Sequence, residues 1–223
     1  MACMTNMSEY NDLYQVKTDE HLADLCRKKD NLAFQELMNR HVKSILHFIR
    51  QYAKENEEAE DITQDTFFKV WKNISYFSKS RTFKPWLYAI ARNTALDWLK
   101  KKKALVFSDL NETDDDMDFA ETLESPEPLP SRLYEDNEMS QALNKAMINI
   151  HPDHQAVLVL HYENQMTFEQ IASILGKPMN TIKSWHRRAL AKLRKGLAHQ
   201  MDDGSRTNNA DTSTPNAHKN SPN

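Results

Sequence analysis

Apolar residues recur along this chain at three- and four-residue steps, the spacing of one helix face. Phe34, Leu37, His41, Ile45, Phe48 and Tyr52 form such a series, with Met38, Val42, Ile49 and Ala53 beside them. The helical pattern begins near Asp19, and this broad stripe predicts a long helix packed on a core. A second helix is predicted from about Glu57 to Ile74. Ala59, Ile62, Thr66, Phe67, Val70, Trp71 and Ile74 mark its buried face, and Glu58, Asp61, Gln64 and Asp65 its exposed one. Acids early in that helix also suit its dipole. The period lapses from Ser75 to Pro85, which reads as a loop. A third helix starts near Pro85, a residue tolerated in a first turn. It runs to about Lys102 with Leu87, Ile90, Thr94 and Trp98 inward, and the run Lys100 to Lys103 sits at its favourable C-terminal end.

Beyond Leu105 the pattern stops. The stretch to Asp136 is acidic, carries Pro126, Pro128 and Pro130, and has too few apolar residues to order itself. Periodicity returns near Glu138, where Met139, Leu143, Met147 and Ile150 form a stripe. His151-Pro152-Asp153 breaks it, and Asp153 is the expected cap of the next helix, His154 to Tyr162. Thr167-Phe168-Glu169-Gln170 has the form of a capping box. Phe168, Ile171, Ala172 and Leu175 fill one face of a short helix that Gly176 ends, and Lys177 to Asn180 turn the chain. A longer helix follows with Ile182, Ala189, Leu190 and Leu193 inward. The last residues, rich in Asn, Ser, Thr, Asp and Pro, read as a disordered tail.

The expected fold is therefore all-α, with two small helical domains joined by a flexible acidic linker. The expected divisions are a disordered stretch 1–18, a first domain 19–103, a linker 104–137, a second domain 138–198 and a tail 199–223. Three glycines in 223 residues fit a chain without hairpins. Purely apolar runs such as Ala156 to Leu160 are far short of the ~20 residues a bilayer requires, so no membrane insertion is expected. No signal-peptide order stands at the start, and Cys3 and Cys26 are read as free thiols in a reducing cytoplasm.

The net charge of −3 argues against nucleic-acid binding until its distribution is considered. Arg81 to Lys103 holds seven basic residues and one acid. Glu138 to Gln200 holds eight and four, and Ala104 to Asp136 holds one base against eleven acids. Two basic modules are tied by an acidic strap. In the second module, the longer helix carries Lys183, Ser184, Arg187, Arg188, Lys192 and Arg194 on its outer face. A short helix, a glycine turn and a basic second helix form the helix-turn-helix layout that enters a major groove. Arg187 and Arg188 suit bidentate contacts to guanine, while Lys183 and Ser184 suit bases or phosphates. Lys192, Arg194 and Lys195 suit phosphate.

Three segments resemble a known family. Ala59-Glu60-Asp61-Ile62-Thr63-Gln64-Asp65-Thr66-Phe67 resembles the second region of bacterial sigma factors. Trp86-Leu87-Tyr88-Ala89-Ile90-Ala91-Arg92-Asn93, followed by Asp97, resembles their promoter-melting segment. Thr181-Ile182-Lys183-Ser184, Arg188-Ala189-Leu190 and Lys192-Leu193-Arg194 resemble the recognition helix of the fourth region. The chain looks like an extracytoplasmic-function sigma factor of the sigma-70 family, the small type holding regions two and four, across roughly residues 22–198. The resemblance implies a cytoplasmic transcription initiation factor, nucleoid-associated when bound to polymerase, with no catalytic residue, metal or cofactor. Asp61, Gln64 and Asp65 match the face that docks on the β′ clamp helices of core RNA polymerase, and the β flap is a further expected contact. The loop before Pro85 matches the one that captures a flipped base of the −10 element. There Tyr76, Phe77 and Phe83 offer stacking surface and Asn93 a base-edge reader, with Lys84, Arg92 and the lysine run along the backbone. Trp86 suits core and DNA equally, and Trp71 and Trp98 read as core. Thr181, Lys183, Ser184, Arg187, Arg188 and Lys192 form the −35 set. The family also implies an anti-sigma factor, and a linker threading the polymerase cleft, where its acids would mimic nucleic-acid charge.

Two departures stand out. Trp185-His186-Arg187 replaces the usual Arg-Leu-His, so His186 falls where an apolar core residue is expected and Trp185 is a candidate to supply that packing. Asn180 replaces a glycine, a modest change because Asn tolerates a left-handed backbone. A dimeric helix-turn-helix regulator with a sensor domain is the competing reading, and the Asp61–Asp65 and Trp86–Asn93 motifs argue against it. His151, Asp153, His154 and His161 lack metal-site spacing, because Pro152 breaks the helix at His151 and two turns part the other histidines. No phosphate loop or nucleophile motif is present.

Overall fold

The computed structural model of the protein describes residues 13–108 and 142–207, apart from 54, 79, 144 and 148. Among the described residues every regular element is helical. Helix α1 (Asp19–Arg27) is capped by Thr18, whose hydroxyl accepts from the His21 N–H at 3.3 Å. The helical pattern that begins at Asp19 is then broken. Lys29 takes a left-handed backbone (φ 67°), and Asp30 caps α2 (Asn31–Ile49) by accepting from Leu32 and Ala33 at 3.0 and 3.1 Å. Periodicity alone carries across such a break, because the residues on either side still face one core. Helix α3 (Asn56–Asn73) and a 3-10 turn (Ile74–Tyr76) follow. Helix α4 (Phe83–Ser108) begins two residues before Pro85. Leu22, Leu37, Ile45, Phe48, Ile62 and Leu87 are fully buried between these helices. Each such side chain stabilises the fold by about 1.5–3 kcal/mol.

Residues 13–18, expected to be disordered, are tied down. The Arg40 guanidinium donates to the carbonyls of Tyr14, Gln15 and Lys17 at 2.7–2.9 Å, and the Tyr14 hydroxyl donates to Asp30 at 2.8 Å. Arg40 also pairs with Asp19 and Glu36, and Asp19 with His41 at 2.7 Å. Burial alone would raise the Asp19 pKa, but the hydrogen bond and charge of His41, with those of Arg40, hold it below the ordinary value. One guanidinium thus holds the segment by its backbone, with Tyr14 as its apolar contact to the core. Residues 1–12, with Cys3, lie outside the described residues; Cys26 is a buried free thiol, its pKa pushed up by burial to about 12.

The second module consists of α5 (Pro152–Leu158), a π turn (Val159–Glu163), α6 (Phe168–Leu175) and α7 (Met179–Thr207). The Gln155 amide donates to the carbonyls of Met147 and Ile150 at 2.8 and 2.6 Å, fastening the preceding turn to α5. Asp153 is not the cap of this helix. The His151 ring nitrogen accepts from the Asp153 N–H at 3.2 Å, and Asp153 itself is buried. The expected stripe is also incomplete: Ile150 is buried but Leu143 is exposed. The capping box at Thr167 and Gln170 is formed in both directions, and Gly176 ends α6 in a left-handed conformation (φ 59°) that other residues adopt at a cost. The turn that follows is shorter than expected, because α7 already begins at Met179. Asn180 is therefore helical and needs no left-handed backbone. Gly196 faces Ala146 so closely that an added Cβ would stand 2.9 Å from the Ala146 Cβ. Helix α7 continues to Thr207, into the stretch expected to be tail. Helix α4 likewise runs to Ser108, into the stretch expected to be linker, because Ala104 to Ser108 continue its backbone without a proline or glycine; the acidic linker beyond 108, with its proposed charge mimicry, and the tail beyond 207 lie outside the described residues.

The two modules pack on one another, with α4 meeting α6. A single cluster of buried side chains joins Phe48, Leu87 and Tyr88 to Val157, Leu160, Met166, Ile171 and Leu175. Polar pairs cross the same seam. The Tyr88 hydroxyl donates to Asn164 Oδ1 at 2.6 Å, and the Tyr52 hydroxyl donates to Asp153 Oδ1 at 3.1 Å. Lys84 Nζ donates to the Asn164 carbonyl at 3.0 Å, and His47 faces Glu163 at 3.2 Å. Burial pushes the Tyr88 pKa up to about 12 and the Tyr52 pKa well above its usual value, so both hydroxyls remain donors.

Candidate nucleic-acid interface

Helix α7 presents its cations because its apolar period fixes the opposite face. Ile182 and Ala189 are fully buried, and Leu190 and Leu193 are half-buried behind them. That leaves Lys183, Arg187, Arg188, Lys192 and Arg194 exposed, with Thr181 and Ser184 half-buried at the helix start. Lys192 Nζ also donates to the Asn149 carbonyl at 3.3 Å. Trp185 and His186 share the packing normally given to one apolar side chain. Trp185 lies on the core and against the His154 ring at 5.1 Å. His186 sits among His161, Tyr162 and Phe168 at 5.3–5.6 Å and shares a hydrogen bond with the Tyr162 hydroxyl at 3.0 Å. Burial, and then the charge His161 would carry, lower the His186 pKa, so the ring packs in its neutral form. His154 is lowered to about 4 by burial, then by His151, Lys192 and Arg188.

The loop between α3 and α4 divides the expected −10 residues. Tyr76 is 83% exposed, free to stack. Phe77 and Phe83 are not: both are buried, and with Trp86 they form an aromatic cluster of centroid distances 5.2–5.8 Å. The aromatic character that suggested stacking is used to anchor the loop to the core. Trp86 is half-buried in that cluster, packed against the core. Asn93 is exposed, whereas Lys84 and Arg92 are half-buried and turned toward the second module. Burial lowers the Lys84 pKa, against the opposing charge of Asp19.

On the far side, Asp61, Gln64 and Asp65 are all exposed on α3. Gln64 also lines an apolar groove between α2 and α3, together with Phe34, Met38, Val42, Phe67, Phe68 and Trp71. Phe68 is 60% exposed and Trp71 36%, so Trp71 belongs to this surface and not to the core; its ring leans on Phe34 at 4.8 Å. The groove escaped the sequence reading because its residues come from two helices, each contributing positions at the edge of an apolar stripe.

Two family models match the chain and correspond to the two modules. Residues 37–105 match sigma-70 region 2, and residues 146–195 match sigma-70 region 4. The chain belongs to the sigma-70 family, in its extracytoplasmic-function branch. It is 25% identical over 171 residues to the RNA polymerase sigma factor YlaC of Bacillus subtilis (strain 168), covering 77% of this chain and 95% of that one. It is 27% identical over 172 residues to the extracytoplasmic-function sigma factor SigW of the same organism, covering 77% and 92%. The fold is similar to that of the Bartonella quintana sigma factor RpoE, solved with the anti-sigma factor NepR (TM-score 0.56, 23% identity, 74% of this chain and 96% of that one). A sigma factor of this family is a transcription initiation factor, and its second region here holds the acidic face, the loop and α4, its fourth the helix-turn-helix. Among the described residues no group of three or more His, Cys, Asp or Glu side chains is placed to hold a metal ion. No described helix is long and apolar enough to cross a membrane.

Proposed function

We propose that this sigma factor directs core RNA polymerase to promoters through three separate surfaces of the chain. The observation that carries the reading is the outer face of α7, where five cations stand exposed behind a capped helix and a left-handed glycine turn. That face reads the −35 duplex, with Arg187 and Arg188 on base edges and Lys183 and Lys192 on phosphates. Tyr76 and Asn93 take the single-stranded −10 element, with Lys84 and Arg92 along its backbone. Unstacking a base costs a few kcal/mol, and stacking on an aromatic ring returns roughly 1–3 kcal/mol. Binding free energy, and no bond chemistry, drives melting.

Asp61, Gln64 and Asp65 dock on the polymerase β′ clamp helices, with the groove of Phe68 and Trp71 taking apolar side chains of the same partner. An anti-sigma factor covers these faces when the protein is held inactive; the similar Bartonella quintana sigma factor was solved in complex with one. Pull-down of core polymerase tests the assignment. Full-length protein is expected to bind, and Asp61→Lys with Asp65→Lys to bind at least tenfold more weakly with unchanged helicity. Equal binding by the variant refutes the docking face.

A further inference from the structure

Helix α1 lies before residues 37–105, the stretch that matches region 2, and carries none of the promoter or polymerase contacts proposed above. Its first turn begins with two acids, Asp19 and Glu20. Acids there suit the helix's own dipole. Both also act on Phe83, the first residue of α4, one directly and one through a histidine. Glu20 Oε1 accepts from the Phe83 backbone N–H at 3.1 Å. The Asp19 carboxylate shares a hydrogen bond with the His41 ring at 2.7 Å, and that ring packs against the Phe83 ring at 5.8 Å. The N–H of a first helical residue has no partner within its own helix, and Pro85, two residues on, has no N–H. The start of α4 is therefore fixed from α1. Helix α1 also meets the 3-10 turn Ile74–Tyr76, so it touches the chain on both sides of the loop.

We infer that Glu20, with the Asp19–His41 pair behind it, is a positioning residue for −10 recognition: it fixes where α4 begins, and so where the loop holds Tyr76 relative to Asn93. The inference rests on the promoter-binding reading above. From Phe83 the grip passes to the loop by direct contact. The Phe83 ring meets Phe77 edge-on at 5.7 Å, and the Phe77 N–H donates to the Ile74 carbonyl at 3.1 Å. Tyr76, the exposed ring given to a captured base, precedes Phe77 in the chain. On the other side Asn93 stands on α4 itself, about 15 Å along the axis from Phe83. A carboxylate accepting from a helix's first N–H resists fraying of that end, and a bond to a charged acceptor is among the stronger ones. Without it the first turn of α4 frays, the loop lengthens, and Tyr76 shifts against Asn93. A flipped base is held in a pocket and read by stacking and edge contacts together, so it senses that shift. Duplex reading by α7 does not, because none of these contacts touches it.

The test uses the full chain with core polymerase on a promoter library randomised at both elements, scoring base preference at −35 and at −10 in the same set of transcript starts. Glu20→Ala removes the acceptor, and Glu20→Gln keeps it without the charge. Glu20→Ala is expected to relax preference at −10 by about five- to tenfold, the scale of one base–aromatic contact, while −35 preference stays within about twofold. Glu20→Gln should stay within about twofold of the unmodified chain at both elements, because an amide oxygen still caps the helix. Glu20→Asp, one methylene shorter, keeps the acid in the first turn of α1 but withdraws it from Phe83. It should relax −10 preference in the same direction, and it decides the matter if Glu20→Ala gives too few starts to score. A merely structural role would lower the number of starts and leave both preferences as they were; that result overturns the inference, as does a loss by Glu20→Gln equal to that of Glu20→Ala. Specific starts from the unmodified chain with no −10 change in any variant overturn the positioning role alone. No specific starts from the unmodified chain contradict the promoter reading, and the inference with it.

Discussion

The two regions assigned to DNA differ in how they are built. The −35 face lies on one helix, whose period buries Ile182 and Ala189 and leaves its cations on the opposite, exposed side. The −10 surface is assembled from a loop and α4, and its cations meet groups more than sixty residues away. The contrast teaches that a surface made by helical period is settled locally, whereas one made from a loop depends on what packs against it. The first follows from one helix's own period, and the second from contacts between distant parts of the chain.

The sharpest way to break this comparison is to weaken the shared core. Ile171→Ala in α6 is expected to cost about 2–5 kcal/mol. Because its cluster spans both modules, calorimetry should show one transition moving as a unit. Two separate transitions, with only the second shifted, would mean the modules are independent and the seam incidental. Next in size are the DNA contacts. Arg187→Ala should lose about 1–3 kcal/mol of promoter binding and relax preference at one −35 position, measured by competition between single-base variants. Tyr76→Ala should lose about 1–3 kcal/mol on single strand and nothing on duplex. Phe77→Ala, by contrast, should act through the melting temperature.

Smaller effects sharpen the account of α6 and α7. Thr167→Ala removes one half of a formed capping box and should cost about 1 kcal/mol in chemical denaturation. The pH dependence has a definite sign. His154 titrates near 4 in the folded chain and near 6.5 when unfolded, so the unfolded state takes up the proton first and stability falls as pH drops through that window. Between pH 7 and 5 the loss should be about 1 kcal/mol, about half the full linkage because solvent reaches the ring. His154→Gln should flatten the profile.

Much of the fold was legible because it is written in helical period. The bounds of α3, the capping box at Thr167, the left-handed Gly176 and the outer face of α7 follow from residues within a turn or two of each other. The exposure of the candidate surfaces was legible where it follows from one helix, as at Asp61, Gln64, Asp65, Lys183 and Arg187. Three things were not. Phe77 and Phe83 looked like stacking surface because exposed and buried aromatics in a loop have the same composition. Asp153 looked like a cap because Asp is a preferred N-cap residue type, and its partners Tyr52 and Arg92 are distant in sequence. Residues 13–18 looked unstructured because their main anchor is the Arg40 guanidinium, which satisfies backbone carbonyls, and only Tyr14 among them packs on the core.

The central claim is that this chain gives core polymerase its promoter specificity through the Asp61–Asp65 face and the basic face of α7. The most direct measurement maps transcript start sites made by core polymerase on a genomic promoter library with and without the protein. The account predicts discrete starts sharing a −35/−10 pair, lost when Asp61 and Asp65 are changed to lysine and shifted in −35 preference by Arg187→Ala. If polymerase gains no specific starts, while the protein alone protects duplex sites, the chain acts as a free-standing regulator and the claim is wrong.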